Sequence, residues 1–297
     1  MNNCLFLLKN YWNRYKLAVK FFFTSLLFGI LIWKIDINKT IANFSKINLL
    51  ILIPLILYPI GLLISTKKWQ MSLKIDYDYW YLFRLYWISN FFSNFLPSTI
   101  GGDSYKLLKL KKHGLKKSFV SIVLDRGSGM LALFFLLMVF AIPIFTLTKN
   151  VFLFFIASTP LVLVVIISII LIFIPFKNKY LIKIKNALRK NLSLFFPLFS
   201  LSVLFILLGS FSLWIYFYMF GFYLSFFNVF LIYILLRLIA MIPISLNGLG
   251  LKEGAMIYLA GFFGISPAMG LSIALVSRMV ILVATAFGGL IYLFNDT

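Results

Sequence analysis

Long apolar runs separated by short polar stretches make up most of the 297-residue chain. A bilayer core about 30 Å thick needs ~20 mostly apolar residues per helix, and several of the runs reach that length. The pattern predicts an all-α polytopic membrane protein with about eight membrane segments, forming a single integral membrane domain over residues 1–297. The predicted apolar segments are 17–34, 47–66, 79–102, 118–148, 150–176, 195–220, 224–251 and 254–294, and the last of these is expected to break at Ser266-Pro267.

Basic residues collect in four blocks between these runs, at 9–20, 67–74, 106–117 and 177–190. Short loops rich in Lys and Arg stay on the cytoplasmic side of a membrane, which predicts a cytoplasmic N-terminus in the cell (inner) membrane. The second and third blocks then fall on the same side only if the run 79–102 enters the membrane and turns back. The loop charges therefore predict a re-entrant element.

Composition supports a membrane class and narrows the partners. The chain is 63% hydrophobic, has a mean hydropathy of +1.04 and carries a formal net charge of +21. Because the positive charge is divided among short loops, it favours anionic membrane lipids over nucleic acid. One cysteine and the single histidine, His113, leave too few ligands for a Cys- or His-based metal site, so we expect no metal and no cofactor.

Two runs end in glycine-rich breaks that are followed by an acidic residue. The first reads LPSTIGGD, with Pro97 four residues before a Gly-Gly pair and then Asp103. The second reads IPISLNGLGLKEGA, with Pro243 before Asn-Gly-Leu-Gly and then Glu253, the only glutamate in the chain. Non-helical backbone at membrane depth is tolerated only where protein or a water-filled cavity satisfies its polar groups. Both stretches therefore predict broken helices beside a cavity.

The two breaks sit in similar surroundings, which indicates a loose internal repeat. Each is preceded by an arginine and followed by a short amphipathic stretch, a glycine, and a helix that carries another arginine. The arginines before the breaks are Arg84 and Arg237, the glycines are Gly114 and Gly264, and the later arginines are Arg126 and Arg278. Two corresponding interrupted segments indicate a transporter-type site at a repeat interface.

Charges inside the apolar runs need partners, since an ionisable group at the bilayer centre costs ~2.5–3.5 kcal/mol. Asp125 and Arg126 are neighbours in sequence and point to different sides of a helix, so we expect pairing between helices. Three carboxylates and four arginines would form one cluster with one surplus positive charge, suited to an anion, unless they are only structural ion pairs. The candidate substrate-binding residues are Arg84, Asn94, Gly101, Gly102, Asp103, Asp125, Arg126, Arg237, Asn247, Gly248, Gly250, Glu253 and Arg278.

Four stretches together resemble one known family. They are NFFSNFLPSTIGGD, SIVLDRGSGMLAL, IPISLNGLGLKEGA and FGISPAMGLSIALVSR, and the resemblance covers about residues 10–294. They are similar to the flippase-like membrane domain of lysylphosphatidylglycerol synthases, which moves aminoacylated phosphatidylglycerol between leaflets. The resemblance implies two re-entrant helices and a lipid-moving role. The soluble domain that makes the lipid in two-part synthases has no counterpart in this sequence, so aminoacyl transfer is not expected.

The sequence therefore predicts a lipid transporter of the flippase type. Its substrate would be an anionic phospholipid or a polyprenyl-phosphate-linked sugar, and it would not be an enzyme. The alternative is an enzyme of polyprenyl-linked glycosyl transfer, or a non-catalytic membrane subunit that assists a partner glycosyltransferase or lipid-modifying enzyme. The sequence Asp76-Tyr77-Asp78 is the one feature in favour of an enzyme, because such a pair can hold a divalent metal, although it also suits the end of a helix. An ion channel is disfavoured, since no filter-like repeat is present.

Overall fold

Helices form all of the regular secondary structure in the described part of the chain. The computed structural model describes residues 22, 24–26, 29–31, 33, 35–73, 77–95, 100–111, 114–151, 153–155, 157–159, 192–242 and 245–295. The helices are α1 (Ile37–Ala42), α2 (Leu52–Leu73), α3 (Tyr79–Phe95), α4 (Ile100–Lys109), α5 (Leu115–Val139), α6 (Ala141–Thr148), α7 (Leu192–Met219), α8 (Phe226–Ile239), α9 (Leu251–Gly261) and α10 (Pro267–Asn295). Short 3₁₀ turns lie at Asn43–Lys46, Leu49–Ile51 and Leu246–Gly248.

Within these residues, four helices are long and apolar enough to cross a membrane. They cover Leu49–Leu73, Lys117–Val139, Leu194–Met219 and Pro267–Phe294, and Phe226–Ile239 is a shorter apolar helix. Large apolar side chains are exposed along several helices, for example Phe196 at 74% and Ile142 at 69%. An apolar surface of this extent suits contact with lipid. The fold is that of a polytopic, all-α membrane protein.

The structure divides several of the apolar runs into two helices. The run 79–102 gives α3 and α4 on either side of the first break. The run 118–148 lies within α5 and α6, which meet at Phe140. The run 254–294 breaks at Ser266-Pro267 as predicted, with α9 before it and α10 after it. Most of the predicted segments 17–34 and 150–176 lies outside the described residues.

Capping side chains explain where three of these helices begin. The Asp78 carboxylate accepts a hydrogen bond of 2.8 Å from the Tyr81 amide at the start of α3. Ser225 caps α8 in the same way, because its side chain accepts from the Asn228 amide. Ser266 lies before Pro267, and a proline in the first turn suits a helix because that turn leaves amide groups without helical partners.

Helices that are far apart in the sequence pack closely against each other. α2 lies against α7, where a Cβ on Gly61 would be 3.2 Å from the Phe205 ring. α3 lies against α10, where the Trp87 indole N–H donates 2.9 Å to the Ala284 carbonyl oxygen. A Cβ on Gly288 would be 2.5 Å from the Trp87 carbonyl oxygen. The Gly288-Gly289 pair therefore permits close helix packing.

Two hydrophobic clusters support the break regions. The larger one joins α5, α7, α8, α9 and α10 through residues such as Phe217, Ile234 and Leu259, which are at most 1% exposed. A smaller one surrounds Trp69 and Leu110, between α2, α3 and the end of α4. The short helices after the breaks are thus packed into the protein.

Candidate anion site at two helix breaks

α3 and α4 form an antiparallel hairpin around the first break. Near its tip, a Cβ on Gly102 would lie 2.1 Å from the Ser93 hydroxyl oxygen and 2.2 Å from the Ser89 carbonyl oxygen. Further along α4, the Lys106 Nζ lies 3.3 Å from the centroid of the Tyr86 ring. As residue numbers increase along α4, the contacting residues of α3 have lower numbers, so the two helices run antiparallel. The chain turns back, as the loop charges predicted.

Six side chains around this hairpin form what we call the first cluster: Lys68, Tyr86, Asp103, Lys106, Asp125 and Arg126. The Asp103 carboxylate accepts a hydrogen bond from Arg126 Nε and lies 3.8 Å from Lys106 Nζ. The Asp125 carboxylate lies 3.1 Å from Lys68 Nζ and accepts a 3.2 Å bond from the Tyr86 hydroxyl. Each of the three cations thus has a carboxylate partner, and the cluster carries a net charge of +1.

Lys106 is the most enclosed cation of the first cluster, with a side chain 3% exposed. Its ammonium lies 3.3 Å from the Tyr86 ring centroid and 4.7 Å from that of Trp69. The Trp69 indole N–H donates to the Ser121 hydroxyl at 3.1 Å, which fixes the ring. Cation–π attraction is strongest where water is excluded. Lys106 therefore holds α4 against α2 and α3, whereas the Arg126 side chain remains 45% exposed.

The second break has a tightly turned backbone between α8 and α9. Asn247, Gly248 and Gly250 have φ angles of 47°, 73° and 79°. Glycine and asparagine adopt this left-handed region most readily, which explains the Asn-Gly-Leu-Gly sequence. The Glu253 carboxylate reaches back and accepts a 2.7 Å hydrogen bond from the Gly250 amide. The glutamate thereby caps the start of α9.

Four charged side chains meet at this break and form the second cluster: Arg237, Lys252, Glu253 and Arg278. The Arg278 Nε lies 2.5 Å from Glu253 Oε1, and its Nη2 lies 3.5 Å from the Gly248 carbonyl oxygen. Lys252 is within electrostatic range of Arg237, Glu253 and Arg278. The Arg237 guanidinium lies 5.4 Å from the centroid of the Phe205 ring. With three cations and one carboxylate, the cluster carries a net charge of +2.

The two breaks repeat one arrangement. In each, a carboxylate in the first turn of a short helix binds an arginine on the next long helix. The pairs are Asp103 with Arg126 and Glu253 with Arg278, separated by 23 and 25 residues along the chain. In each, a glycine with positive φ lies between the two helices, at Gly114 and Gly264. The predicted internal repeat is present as α3–α5 and α8–α10.

The tips of the two breaks touch. The Asn247 amide donates a 3.3 Å hydrogen bond to the Asn94 side-chain oxygen. The Asn94 amide in turn donates 2.7 Å to the Thr285 hydroxyl of α10. The end of α3 therefore contacts both the second break and the long helix of the second repeat.

The sequence predicted one cluster, whereas the ion pairs of the described residues around the breaks fall into two groups, and none of them joins one group to the other. Arg84 is exposed on α3, and neither it nor Arg237 forms an ion pair with a carboxylate among the described residues. Gly101 and Gly102 lie in the first turn of α4. The expected pairing between helices is confirmed for Asp103 with Arg126 and for Glu253 with Arg278, whereas Asp125 binds Lys68 rather than an arginine.

The sequence did not predict that three lysines belong to the clusters. They are Lys68, Lys106 and Lys252. The basic blocks at 67–74 and 106–117 concealed the first two, because every lysine there was interpreted as a cytoplasmic loop residue. A signal was available for Lys106, since it follows Asp103 by three residues and so shares its helix face. No comparable spacing pointed to Lys68.

The one feature that favoured an enzyme has a structural role in part. Asp78 caps α3, whereas Asp76 and His113 lie outside the described residues. Among the residues that are described, no group of three or more His, Cys, Asp or Glu side chains could hold a metal ion.

Comparison with known proteins gives two matches over nearly the whole chain. The family model described as the lysylphosphatidylglycerol synthase TM region matches residues 17–289, which include both breaks. A protein of Pyrococcus horikoshii described as a UPF0104 membrane protein is 23% identical over 313 residues, covering 90% of this chain and 93% of the relative. This chain belongs to the family of the lysylphosphatidylglycerol synthase TM region.

Proposed function

We propose that the protein moves an anionic lipid between the leaflets of the cell membrane, as a transporter rather than an enzyme. The lipid is a phospholipid or a polyprenyl-phosphate-linked sugar, and the N-terminus faces the cytoplasm. The observation that carries the proposal is the repeated carboxylate–arginine pair at two touching helix breaks. Inverted or parallel repeats with broken helices place the substrate sites of many membrane transporters.

The arginines at the breaks are suited to bind an anion while they keep their carboxylate partners. Arg126 and Arg278 each bind one carboxylate, yet their side chains are 45% and 18% exposed. A guanidinium has five N–H donors in a planar fork, so it can bind a phosphate while it keeps a carboxylate contact. An anionic headgroup can therefore enter at a break without leaving a buried charge alone, while its hydrocarbon tails stay in lipid.

The energy source lies outside the chain's own chemistry. The sequence contains no nucleotide-binding loop, so movement is driven by an ion gradient, the membrane potential or later consumption of the lipid. A net positive charge at both breaks favours entry of an anion over a zwitterion.

Reconstitution into liposomes tests this function. Liposomes would contain a small fraction of phosphatidylglycerol labelled with a fluorophore that dithionite quenches, and a matched set would contain labelled phosphatidylcholine. We expect dithionite to reach the inner-leaflet phosphatidylglycerol label only in liposomes with protein, and to reach it faster than the phosphatidylcholine label. The variant Arg126→Gln/Arg278→Gln should lose this activity.

The control variant is Lys39→Gln, which changes a cation whose side chain is 78% exposed. It should transport as well as the unmodified protein, since Lys39 is part of neither cluster. If the unmodified protein protects the inner-leaflet label as well as protein-free liposomes do, for both lipids and both with and without an imposed ion gradient and membrane potential, the transport proposal is refuted.

A further inference from the structure

The only carboxylate of the second cluster is enclosed and already binds two groups. Glu253 is 1% exposed, and its two oxygens accept from Arg278 Nε at 2.5 Å and from the Gly250 amide at 2.7 Å. The contact with Gly250 holds the turn of the break, so it is not available without unfolding that turn. One carboxylate offsets only one of the three positive charges of the cluster, and its ion pair is with Arg278.

Two cations remain beside this pair. Lys252 precedes Glu253, and its stem lies along the break, where a Cβ on Gly248 would be 2.6 Å from the Lys252 Cε. In the described part of the chain, no carboxylate forms an ion pair with Lys252, and the Arg278 Nη2 lies 3.5 Å from the carbonyl oxygen of the same Gly248. Arg237 is exposed and contacts the Phe205 ring, and this contact does not neutralise the positive charge of the guanidinium. The four side chains of the second cluster, three cations and one carboxylate, therefore have a surplus of two positive charges.

The first cluster shows that the repeat does not require such a surplus. There, Lys68, Lys106 and Arg126 each contact a carboxylate. The two repeats differ at matching positions around the acidic residue. The position before Asp103 is Gly102, whose surroundings leave no room for a side chain, whereas the position before Glu253 is Lys252.

The position three residues after the acidic residue differs in the opposite sense. It is Lys106 in the first repeat, which is enclosed by aromatic rings, and the buried Met256 in the second. The second repeat thus has no cation at the position of Lys106 and has Lys252 next to its acidic residue instead. Every cation of the first cluster therefore has a carboxylate partner, whereas the second cluster has cations without one among the described residues.

We propose that the second cluster binds a doubly charged phosphate group, with Lys252, Arg237 and Arg278 as its ligands. Two surplus cations match a phosphomonoester or diphosphate, which carries close to two negative charges near neutral pH, better than a phosphodiester with one. Arginine binds phosphate oxygens in pairs, and lysine adds a point charge. The site deepens the proposed function, on which its assignment to a lipid rests, by selecting lipids with a terminal phosphate or a diphosphate.

Binding to the purified, full-length protein in detergent tests the site without transport. The probes are short-chain phosphatidic acid, a phosphomonoester; short-chain phosphatidylglycerol, a phosphodiester; and inorganic phosphate. We expect phosphatidic acid to bind at least about tenfold more tightly, because one extra hydrogen bond to a charged group contributes about that factor. Lys252→Gln should remove this preference and leave phosphatidylglycerol binding little changed.

The matched control is Lys109→Gln, which changes an exposed lysine on the short helix of the first repeat. It should keep the full preference for phosphatidic acid. If Lys252→Gln unfolds, Arg237→Gln tests the same surplus at an exposed position. Equal affinities for the two lipids, or a preference that both variants keep, would overturn the proposal.

The inorganic phosphate probe identifies the source of the ligand. Competition between phosphate and phosphatidic acid that Lys252→Gln weakens supports a site for the phosphate group itself. Binding of phosphatidic acid without binding of free phosphate supports a site that also needs the lipid. Selective binding in detergent without movement in liposomes would leave the phosphate site standing and refute only the transport function.

Discussion

Removing the charge of Glu253 is the most direct test of how the second break is held. Glu253→Gln keeps the size of the side chain and an oxygen that can still accept from the Gly250 amide. It removes the negative charge opposite Arg278, whose side chain is only 18% exposed. The variant therefore isolates the ion pair from the capping contact.

The expected loss is large for a change of one charge. Breaking a buried ion pair by removing one partner costs about 3 to 5 kcal/mol, because the remaining charge is left without compensation. The partial exposure of Arg278 and the retained amide contact place the expected value at the lower end, about 3 kcal/mol. An unfolding entropy of about 2 cal/mol/K per residue converts this into a drop in Tm of about 5 °C for a chain of this size.

Thermal unfolding in one detergent, followed by intrinsic tryptophan fluorescence, measures this drop. The control is Asp36→Asn, which makes the same chemical change in an exposed ion pair with Lys39 and keeps a residue type that caps α1. We expect no measurable shift for the control. A shift for Glu253→Gln as small as that of the control would refute the view that the second break is held by its ion pair.

Three further predictions concern the first break and the contact between the breaks. In Gly102→Ala the new Cβ would lie 2.1 Å from a serine hydroxyl of α3, so we expect a loss of about 2 to 3 kcal/mol in a denaturant titration. Gly127→Ala meets nothing within 4 Å and should be neutral or slightly stabilising, and equal midpoints for the two variants would contradict the close hairpin. Asn247→Gly keeps the left-handed backbone but loses the hydrogen bond to Asn94. A double-mutant cycle with Asn94→Ala should give a coupling free energy of about 1 kcal/mol. Additive effects of the two substitutions would show that the bond contributes nothing. Lys106→Met removes an enclosed ammonium that contacts two aromatic rings and a carboxylate. The free energy of unfolding should therefore fall by about 2 kcal/mol. A decrease no larger than that caused by substituting an exposed lysine would contradict the structural role of Lys106.

The sequence predicted the reversal at the first break because membrane topology restricts loop charges. Basic blocks at 67–74 and 106–117 had to share one side, which left a hairpin as the solution for the run between them. The pairing of Asp103 with Arg126, and of Glu253 with Arg278, was predictable for a related reason. A buried charge needs a partner, and a chain with only seven acidic residues offers few choices.

The composition of each cluster was not predictable in the same way. Asp125 binds Lys68 because α2 lies beside α5, and that contact depends on helix packing that no local spacing encodes. A lysine in a basic block indicates the cytoplasmic side whether its side chain is exposed or buried. The sequence therefore did not indicate that Lys106 lies over the Trp69 and Tyr86 rings. The separation of the ion pairs into two groups likewise depends on which long helix each short helix packs against, α5 for Asp103 and α10 for Glu253.

The unequal strength of the contacts at the breaks determines which of them opens first in the proposed transport cycle. Among the described residues, the tips are joined by one neutral hydrogen bond of 3.3 Å between Asn247 and Asn94, which contributes about 1 kcal/mol. Each short helix is instead tied to its own repeat by an ion pair with Arg126 or Arg278. Removing one partner of a buried pair costs about 3 to 5 kcal/mol, a range that applies to Glu253 with Arg278, whereas the 45% exposure of Arg126 lowers the cost for its pair. α3 also lies so close to α10 that Gly288 admits no larger side chain, so the hairpin is not free to leave that helix. We therefore expect a headgroup to part the tips of the two breaks while the carboxylate–arginine pairs and the α3–α10 contact remain formed.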